Sequence, residues 1–534
     1  MQDLRHYREK RDPERTPEPF GEEAPRRALP AEAPRAFVVQ QHAARSMHWD
    51  LRLEIDGVLV SWAIPKGPSL DPAERRLAVQ TEDHPLEYAD FEGVIPTGNY
   101  GAGAMIVWDR GIYRTANGES PAESLRRGKL DLSLEGHKLR GRFALVRMRG
   151  EDGRSWLLLH KGKPIAGEDP EPIRSQPESV FSGLSVEELG EHSSRTELVA
   201  ELAREAGAKP SGIAAKDLRP MLAFGADRPF SGDGWLFELK YDGVRIIASR
   251  TRGEAKGDVR IFTRTGRDRT AVYPELALAL GHLPVDEFAI DGEVVALDPS
   301  GRSSFERLQR RFTQTDPEAI ARAVSEVPVV LYAFDLPLAG GFDLRTLPLA
   351  RRKEILSRFA PRLGVVRFAD HVEGDGEALF EAARANDLEG VVAKRADSVY
   401  EAGRRSRRWL KLKVPRHAPL AIVGFVAGKG SRRDLGSLML AWRKGQELVY
   451  AGNAGSGLSD EAITALLPRL RAAAVERPAF ARAPDPPGRG AVYVRPELVA
   501  EVGFTEVTSG GLLRHPVFRR LRDDLEPHEC EAFP

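Results

Sequence analysis

A shift in composition at about residues 164–215 divides this chain into regions that we expect to form separate domains. From about residue 164 to residue 215, Pro, Glu and Ser dominate first, a helical pattern follows at ELVAELAREAG, and the stretch ends in KPSG. Such a composition is typical of a linker rather than of a packed domain. Because 534 residues are enough for several domains, we predict an acidic linker with a short helix at residues 164–215.

The region before the linker favours β-structure. Residues 1 to about 33 are charged and irregular, and from Ala36 onward RAFVVQQH and WDLRLEIDGVLVSWAIP alternate apolar and polar residues. Gly and Pro interrupt the pattern at GVIPTGNYGAG, as they do between short strands. We therefore predict one mainly-β, barrel-like domain with an N-terminal arm over residues 1–163.

Two further domains are expected after the linker. Residues 216–415 mix strands such as WLFELKYDG, FAIDGEVVAL and VPVVLYAFDL with helices such as PEAIARAVSE and LARRKEILSRF, which predicts an α+β domain with antiparallel sheets. Residues 416–534 are β-rich, with one helical pattern at EAITALLPRLRAA, and predict a small barrel.

Composition excludes several classes of protein. No apolar run is long enough to span a bilayer, the charged N-terminus does not resemble a secretory signal, and Cys530 is the only cysteine. An internal disulfide and a cysteine zinc site are therefore excluded, and we expect a cytoplasmic protein. The 79 basic and 79 acidic residues balance, but basic clusters such as Arg404 to Lys413 could still bind phosphates locally.

Lys240 is the candidate nucleophile. It follows an apolar strand in FELKYDGVR, and alone it would be an ordinary surface lysine. A lysine is nucleophilic only when neutral, so it needs neighbouring cations or burial. Cations that hold a polyphosphate and carboxylates that hold a divalent metal would complete a site for phosphate chemistry.

Those residue types follow Lys240 in order. The segments are RTG at 264–266, DGE at 291–293, AFD at 333–335, LEGVVAKR at 388–395 and WLKLK at 409–413. In WLKLK, Lys411 and Lys413 are two apart on an extended segment and point to one face. Phe334 offers a ring on which a purine could stack; the alternative is that it fills a core.

With these motifs the chain resembles the lysine nucleotidyltransferases, which include DNA ligases, RNA ligases and mRNA capping enzymes. The resemblance implies that Lys240 attacks the α-phosphate of ATP, that AMP passes to the 5′-phosphate of a nick, and that a 3′-hydroxyl then releases AMP. It also implies nucleotide or phosphate contacts by Glu238, Arg245, Arg264, Glu293, Phe334, Lys411 and Lys413, and metal binding by Glu389. Glu293 and Glu389 could instead be turn carboxylates.

The C-terminal barrel resembles the OB-fold domain that follows in these ligases. The family's last motif carries basic residues that orient pyrophosphate, and Arg520 and Arg522 in RLRDD match it. The family pattern often ends in lysine, where this chain has Leu525. The departure at Leu525 puts one contact with pyrophosphate in question, in the first step, when Lys240 reacts with ATP. Arg520 and Arg522 would then make the pyrophosphate contacts alone.

A second group of chemically active residues lies near the N-terminus in QQHAARSMHWDLRLE. On a strand, His48, Asp50 and Arg52 share one face, and His42 lies just upstream. Two imidazoles and a carboxylate without a thiolate suit a divalent metal such as Mn²⁺, and an arginine beside it could grip a phosphate. The alternative is the solvent-facing polar side of a sheet.

Residues 1–163 resemble the 3′-phosphoesterase module of the bacterial end-joining ligases, the DNA ligase D family. The resemblance implies His42, His48 and Asp50 as metal ligands, with Arg52, His84 and Tyr88 at the transferring phosphate. It gives Arg11, Asp12 and Glu18 of the arm a functional role, where the alternative is a mobile tail. Further candidates are Gln40, Lys66 and Arg76.

The combined expectation is a DNA repair enzyme that heals 3′ ends and seals nicked or broken duplex DNA. It would use ATP, Mg²⁺ or Mn²⁺ in the ligase part and Mn²⁺ in the phosphoesterase part. The resemblance implies the end-binding protein Ku as a partner, and a polymerase or primase that is absent from this chain or encoded separately. The competing hypotheses are an RNA ligase or other lysine nucleotidyltransferase, and a non-catalytic scaffold for DNA ends.

Overall fold

The structure is a computed structural model of the 534-residue chain. It describes residues 4–21, 33–116, 118–149, 153–163, 169–191, 194–226, 228–251, 259–298, 301–428, 434–478, 480–481, 490–504, 506–508 and 510–532. The chain forms two compact units. The first comprises residues 1–225, 231–376 and 392–410, and the second comprises residues 226–230, 377–391 and 411–534.

The N-terminal region folds into a closed antiparallel barrel, as its alternating pattern predicts. Eight strands follow one another in the order β1–β2–β3–β4–β9–β8–β7–β6, β1 pairs with β6 to close the ring, and β5 adds to β6. The elements are α1 (Arg5–Glu9), β1 (Arg35–Ala43), β2 (Met47–Ile55), β3 (Val58–Ile64), β4 (Arg76–Gln80), β5 (Gly93–Ile95), β6 (Gly103–Thr115), α2 (Pro121–Arg127), β7 (Lys129–Gly136), β8 (Arg140–Arg147) and β9 (Ser155–His160).

The alternation along β2 separates two environments. Trp49, Leu51 and Leu53 join the apolar cluster that fills the barrel. Asp50 and Arg52 lie on the other face of the strand, because successive side chains point to opposite sides of a sheet. They are nevertheless buried, at 6% and 2% exposure, so this polar face is covered rather than open to solvent.

The linker is more structured than its composition suggested. It contains α3 (Pro172–Ser175), α4 (Val186–Gly190), the predicted helix α5 (Thr196–Glu205) and β10 (Lys209–Pro210). Val180, Phe181 and Leu184 are at most 3% exposed. The expectation of a single helix was wrong, because a few apolar residues within a polar stretch are enough to anchor it by burial.

The following region is an α+β domain with largely antiparallel sheets, as predicted. One sheet has the order β10–β17–β16–β15–β13–β14 with β18 parallel to β16, and another has the order β11–β21–β20–β12–β19. The elements are β11 (Leu222–Gly225), β12 (Trp235–Leu239), β13 (Val244–Arg250), β14 (Val259–Thr263), α6 (Pro274–His282), β15 (Phe288–Ala296), α7 (Phe305–Phe312), α8 (Pro317–Glu326), β16 (Val329–Ala339), β17 (Phe342–Asp343), α9 (Leu349–Ser357), β18 (Val366–Phe368), β19 (Val372–Glu373), α10 (Gly376–Ala385), β20 (Gly390–Arg395) and β21 (Arg405–Lys413).

The C-terminal region is β-rich with one longer helix, as predicted. Its main sheet has the order β24–β23–β22–β26–β25, and β29 pairs with β26. The elements are β22 (Arg416–Val426), β23 (Ser437–Lys444), β24 (Glu447–Ala454), α11 (Asp460–Ala472), β25 (Ala474–Val475), β26 (Ala491–Phe504), β27 (Glu506–Val507), β28 (Leu513–Arg514) and β29 (Val517–Leu521). Among the helices that the structure describes, none is long and apolar enough to cross a membrane.

Candidate active sites

The β1–β2 hairpin brings together the predicted metal ligands of the N-terminal domain. His42 and His48 are direct cross-strand partners, and Asp50 is opposite Gln40. His42 Nδ1 lies 3.9 Å from Asp50 Oδ2, and His48 Nε2 lies 3.7 Å from Asp50 Oδ1. Within the described residues this is the one cluster of three or more His, Cys, Asp or Glu side chains with donor atoms within 4.8 Å of one another.

Hydrogen bonds orient both imidazoles for metal binding. His42 Nε2 lies 2.8 Å from the Gly101 carbonyl oxygen, and His48 Nδ1 lies 2.9 Å from that of Ser46. A carbonyl only accepts, so these nitrogens carry the protons and the other nitrogen of each ring offers its lone pair towards Asp50. Burial lowers the pKa of His42 even though Asp50 opposes the shift, which favours the neutral ligand form. The donor set therefore fits a divalent transition metal.

Arg52 is held by four neighbours. Its Nε donates to Gln40 Oε1 at 2.6 Å, Nη1 donates to Ser61 Oγ at 2.9 Å, and Nη2 donates to Asp50 Oδ2 at 3.0 Å. Nη1 also lies 3.0 Å from His84 Nδ1. Most of the five guanidinium N–H groups are thereby used. Arg52 orients Asp50 and His84 and has little donor capacity left for a phosphate.

His84 is a buried, neutral imidazole. Burial, followed by the charges of Arg52 and Arg11, holds its pKa well below the usual range. Both Arg52 Nη1 and the Glu82 carbonyl oxygen approach Nδ1, at 3.0 and 2.9 Å. A guanidinium only donates and a carbonyl only accepts, so these two contacts do not assign the ring proton to either nitrogen.

The N-terminal arm packs over this site. Tyr7 is fully buried, with its ring centroid 5.0 Å from that of His84. Glu18 accepts from Arg11 Nε and from the Tyr88 hydroxyl, each at 2.8 Å. Tyr88, in a short 3-10 helix at Leu86–Asp90, is buried, and burial raises its pKa well above the usual range. The described part of the arm, residues 4–21, is thus an integral wall of the site.

A cavity of about 620 Å³ opens at this cluster. Its described lining includes the predicted His42, His48, Asp50, Arg52, His84, Tyr88 and Arg11. Gln40 lies behind it and donates to the carbonyl groups of Tyr88 and Phe91. Lys66 and Arg76 are not among the described lining residues; Arg76 instead pairs with Glu171 of the linker at 2.5 Å.

Lys240 follows the last residue of β12, whose central residues are buried. Glu238 lies two residues before Lys240, on the same face of the extended segment, and is 3% exposed. The next strand, β13, carries Arg245, which forms a two-pronged ion pair with Asp291 of β15 at 2.8 and 2.7 Å. Tyr400 donates to the same carboxylate at 2.5 Å. This buried network orients the Arg245 guanidinium.

The DGE segment lies where β15 runs between β13 and β16. Glu293 is opposite Arg245 on one side and Tyr332 on the other. A Cβ atom on Gly292 would lie 2.6 Å from Leu331 and 2.7 Å from the Tyr332 carbonyl oxygen, so only glycine permits this strand packing. Tyr332 also stacks on Tyr241, with ring centroids 3.9 Å apart.

Phe334 is 8% exposed and belongs to an apolar cluster that includes Leu236, Tyr400 and Trp409. Two cations lie over its ring: Arg245 at 4.9 Å and Lys394 at 4.1 Å from the centroid. The ring is therefore part of a core and part of a charged cluster at once. Arg264, in the turn after β14, is exposed.

The remaining predicted ligase residues belong to the second unit. There Lys411 and Lys413 flank buried Leu412 on an extended strand, as expected, and Lys413 Nζ lies 3.4 Å from Glu389 Oε1. Arg520 is exposed, whereas Arg522 pairs with Asp524 at 2.8 Å and Glu501 at 2.6 Å. Leu525 packs against an apolar cluster that includes Cys530, which explains an apolar residue at that position.

Sequence reasoning missed several buried partners of these residues. Asp291, Lys353, Lys394 and Tyr400 were not singled out. A signal existed for Asp291 and Lys394, because they stand inside the DGE and LEGVVAKR segments. No sequence signal marked Lys353 or Tyr400, because both lie outside the motifs and only folding places them near the site.

Three family models match separate parts of the chain. The model of the DNA Ligase D 3′-phosphoesterase domain matches residues 40–147, that of the ATP dependent DNA ligase domain matches residues 220–413, and that of the ATP dependent DNA ligase C terminal region matches residues 431–525.

Similar proteins cover nearly the whole chain. The Multifunctional non-homologous end joining protein LigD of Pseudomonas aeruginosa is 38% identical over 98% of this chain and 61% of its own length, and that of Mycolicibacterium smegmatis is 35% identical with the same coverage. The solved ligase domain of M. tuberculosis LigD is 33% identical over 60% of this chain and 99% of its own, with a TM-score of 0.35. This chain thus spans about three fifths of the length of the full LigD proteins. The chain belongs to the DNA ligase D family.

Proposed function

We propose that the chain is an ATP-dependent DNA ligase fused to a metal-dependent 3′-phosphoesterase. The supporting observation is that one chain carries both the His42–His48–Asp50 cluster in a cavity and a strand-end lysine, Lys240, beside a buried network of cations and carboxylates. Sealing needs a free 3′-hydroxyl and damaged ends lack one, so the two chemistries serve one substrate, nicked or broken duplex DNA.

In the phosphoesterase domain, His42, His48 and Asp50 would hold the metal, with Mn²⁺ the preferred candidate. Such an ion polarises a phosphoryl oxygen and activates water. Arg52 fixes Asp50 and His84. Arg52, His84 and Tyr88 would stand at the transferring 3′-phosphate. Glu18 holds Tyr88 and Arg11 in the wall of the cavity. The substrates would be 3′-phosphates or terminal 3′-ribonucleotides.

In the ligase domain, the neutral Lys240 amine attacks the α-phosphate of ATP. A nitrogen–phosphorus bond forms, the bond to the bridging oxygen breaks, and pyrophosphate leaves. AMP then moves to the 5′-phosphate at the nick, and the 3′-hydroxyl displaces it. We assign the nucleotide and phosphate contacts to Glu238, Arg245, Arg264, Glu293, Phe334, Lys411 and Lys413, the metal (Mg²⁺ or Mn²⁺) to Glu389, and pyrophosphate orientation to Arg520 and Arg522.

We propose domain limits of 1–163, 164–215, 216–415 and 416–534 for the phosphoesterase, the linker, the adenylation domain and the OB domain. The relatives that match are named for non-homologous end joining. We further propose the Ku protein and a separately encoded polymerase or primase as partners, and a site of action at the nucleoid in the cytoplasm, as the resemblance to the end-joining ligases implies.

The proposal is tested by incubating the protein with ATP labelled in the α-phosphate and Mg²⁺ or Mn²⁺. We expect label to remain on the denatured protein and to be lost from Lys240→Ala. Addition of nicked DNA with a 3′-phosphate should then give a sealed strand, which requires both activities. Failure of the wild-type protein to retain label would refute the ligase assignment.

The same experiment separates the alternatives. An RNA ligase would seal RNA-containing nicks in preference to all-DNA nicks. A scaffold for DNA ends would bind DNA but retain no label, and Lys240→Ala would leave its function unchanged.

A further inference from the structure

A cavity of about 370 Å³ opens between helices α7 and α8 of the α+β domain. Its described lining shares no residue with either candidate active site. The charged side chains of that lining are three cations and one carboxylate, namely Arg307, Arg310, Arg322 and Glu326. The cavity therefore carries an excess of positive charge, although the formal charges of the whole chain balance.

The side chain of Arg307 has no partner. Its backbone N–H donates to Ser304 Oγ at 3.4 Å, but its guanidinium forms no hydrogen bond or ion pair with any described residue, and its Nε is buried. Buried polar groups are normally hydrogen-bonded, because an unsatisfied donor costs free energy. An arginine with open donors beside a cavity indicates a site for an acceptor from outside the chain.

Arg311, one turn later on α7, is a structural arginine by comparison. It is fully buried, and its guanidinium donates to the carbonyl oxygens of Val272 and Val327 and pairs with Glu275. Val327 directly follows α8, so Arg311 ties the end of α8 to α7. The walls of the cavity are thus fixed by Arg311, and no contact gives Arg307 the same task.

Arg310 and Arg322 supply two more cations. Each is 3.7 Å from a glutamate four residues earlier on its own helix, Glu306 and Glu318, and all four side chains are more than half exposed. Such surface pairs contribute little and exchange readily. Arginine presents a planar fork that matches phosphate oxygens, and it stays charged. Three arginines around one cavity therefore suit a phosphate group.

The cavity lies close to the segment that follows the candidate nucleophile. The backbone N–H of Asp242 donates to Ser303 Oγ at 3.1 Å, and Ser303 stands immediately before the N-cap of α7. Because an α-helix rises about 1.5 Å per residue, Arg307 and Arg310 are roughly 5 and 9 Å along the helix from its start. Ten base pairs of duplex DNA span about 34 Å. A duplex whose nick lies at Lys240 is therefore long enough to reach the cavity.

We propose that Arg307, Arg310 and Arg322 form a binding site for a backbone phosphate of the duplex beside the nick. The inference rests on the proposed ligase function, because it takes DNA as the substrate held at Lys240. The site reads no base sequence, since phosphate contacts position a duplex without specifying its bases. Glu326 repels the same phosphate and moderates the affinity.

The test measures binding of a fluorescent duplex that has one nick with a 3′-hydroxyl and a 5′-phosphate. The full chain is first loaded with AMP, EDTA then prevents sealing, and fluorescence anisotropy gives Kd at several salt concentrations. The variants are Arg307→Gln, Arg307→Lys, Arg310→Gln, Arg322→Gln, the triple glutamine variant of these three arginines, and Glu326→Gln. Thermal melting identifies variants that fail to fold.

Arg358→Gln is the matched control. Arg358 is also an exposed arginine of the same domain, and it also lies 3.7 Å from a glutamate four residues earlier, Glu354, at the end of helix α9. The control thus removes the same charge and the same kind of surface pair, but not from the cavity.

We expect Arg307→Gln to weaken DNA binding about tenfold, since a hydrogen bond to a charged group is lost. Arg310→Gln and Arg322→Gln should each weaken it about threefold, because exposed charges are screened. In the triple variant the slope of log Kd against log salt should fall by about one, because one phosphate contact is lost. Arg307→Lys should recover part of the affinity, since it keeps the charge but not the fork. Glu326→Gln should tighten binding about threefold.

Four results would overturn the inference. The triple variant could keep the wild-type affinity, or lose affinity at an unchanged salt slope, as a merely structural role requires. Arg358→Gln could lose as much as Arg307→Gln, which would reduce the effect to net charge. The arginine variants could raise KM for ATP in the labelling reaction with DNA affinity unchanged, which would assign the cavity to a nucleotide polyphosphate. Absence of label from the wild type would instead refute the proposed ligase function, and the inference with it.

Discussion

The two candidate active sites are assembled in opposite ways. Three key residues of the phosphoesterase site, His42, His48 and Asp50, lie within nine positions on one hairpin, and register alone makes them neighbours. The proposed ligase residues from Glu238 to Phe334 come from four strands and from the turns after β12 and β14, and others lie in the second compact unit. A hairpin site is specified locally, whereas a dispersed site depends on the packing of a whole domain.

The sites also differ in how they are closed. The phosphoesterase cavity is walled by a remote segment, the N-terminal arm, through Tyr7, Arg11 and Glu18. In the first unit, the described part of the proposed ligase site is supported by buried ion pairs, such as Arg245–Asp291 between two strands and Arg352–Asp335 between helix α9 and strand β16. The phosphoesterase cavity is therefore shaped by the segment that covers it, and the proposed ligase site by the buried ion pairs that support it. If this is right, each should fail independently of the other.

The largest effect is expected from Lys240→Ala. Removal of the nucleophile should lower label retention and sealing by at least about 10⁴-fold, because no other group can form the covalent intermediate. Release of phosphate from 3′-phosphate DNA should stay within about twofold of wild type, because the hairpin site shares no residue with this one. A loss of both activities in Lys240→Ala would show that the two sites are not independent. Lys216→Ala is the surface control.

His48→Ala should produce the reciprocal result. Loss of one of three metal donors should lower 3′-end removal by about a hundredfold or more, while label retention and sealing of nicks with a 3′-hydroxyl remain. Nicks with a 3′-phosphate should stay open. The control is the exposed His417→Ala. Normal 3′-end removal in the His48 variant would exclude this cluster as the metal site.

Glu18→Gln tests whether the arm shapes the cavity. The change leaves Arg11, whose side chain is 4% exposed, without its nearest carboxylate, and breaking a buried pair costs about 3–5 kcal/mol. We expect 3′-end removal to fall about tenfold and limited trypsin digestion to cleave the arm sooner, with label retention unchanged. The exposed Glu14→Gln is the matched control. An arm that stays protected, with full activity, would show that its packing is incidental.

The smallest effect concerns pH and the buried His84. Its pKa in the folded protein lies well below the usual range because of burial and the charges of Arg52 and Arg11. As the pH falls, His84 of the unfolded chain binds a proton before His84 of the folded protein does. The free energy of unfolding therefore decreases between pH about 6.5 and the pKa of His84 in the folded protein, by at most about 1.4 kcal/mol per pH unit. Thermal melting at neutral and mildly acidic pH should show a smaller acid shift in His84→Gln than in wild type. Equal shifts in the two proteins would contradict neutral burial of this ring.

Much of the local structure could be predicted because periodicity is a local property. The alternation in WDLRLE predicted β2 and its two faces, and PEAIARAVSE predicted α8, which begins at Pro317 and ends at Glu326. Helices α6 and α7 and the order within the linker were not predicted. Their patterns are short, and burial of residues such as Val180 depends on surfaces elsewhere in the chain.

The chemistry of the sites divides in the same way. Which side chains are able to react was predictable from the sequence: two imidazoles and a carboxylate on one hairpin, and a lysine followed by ordered cations and carboxylates. What orients these side chains depends on the tertiary structure. It placed Glu18 against Tyr88, 70 positions away, and it joined Arg52 to Asp50 and His84. It likewise brought Lys353 and Lys394 to Glu238, 115 and 156 positions away. The physical reason is that a buried charge must find its partner in space, and the spacing of residues along the chain carries no record of that partner.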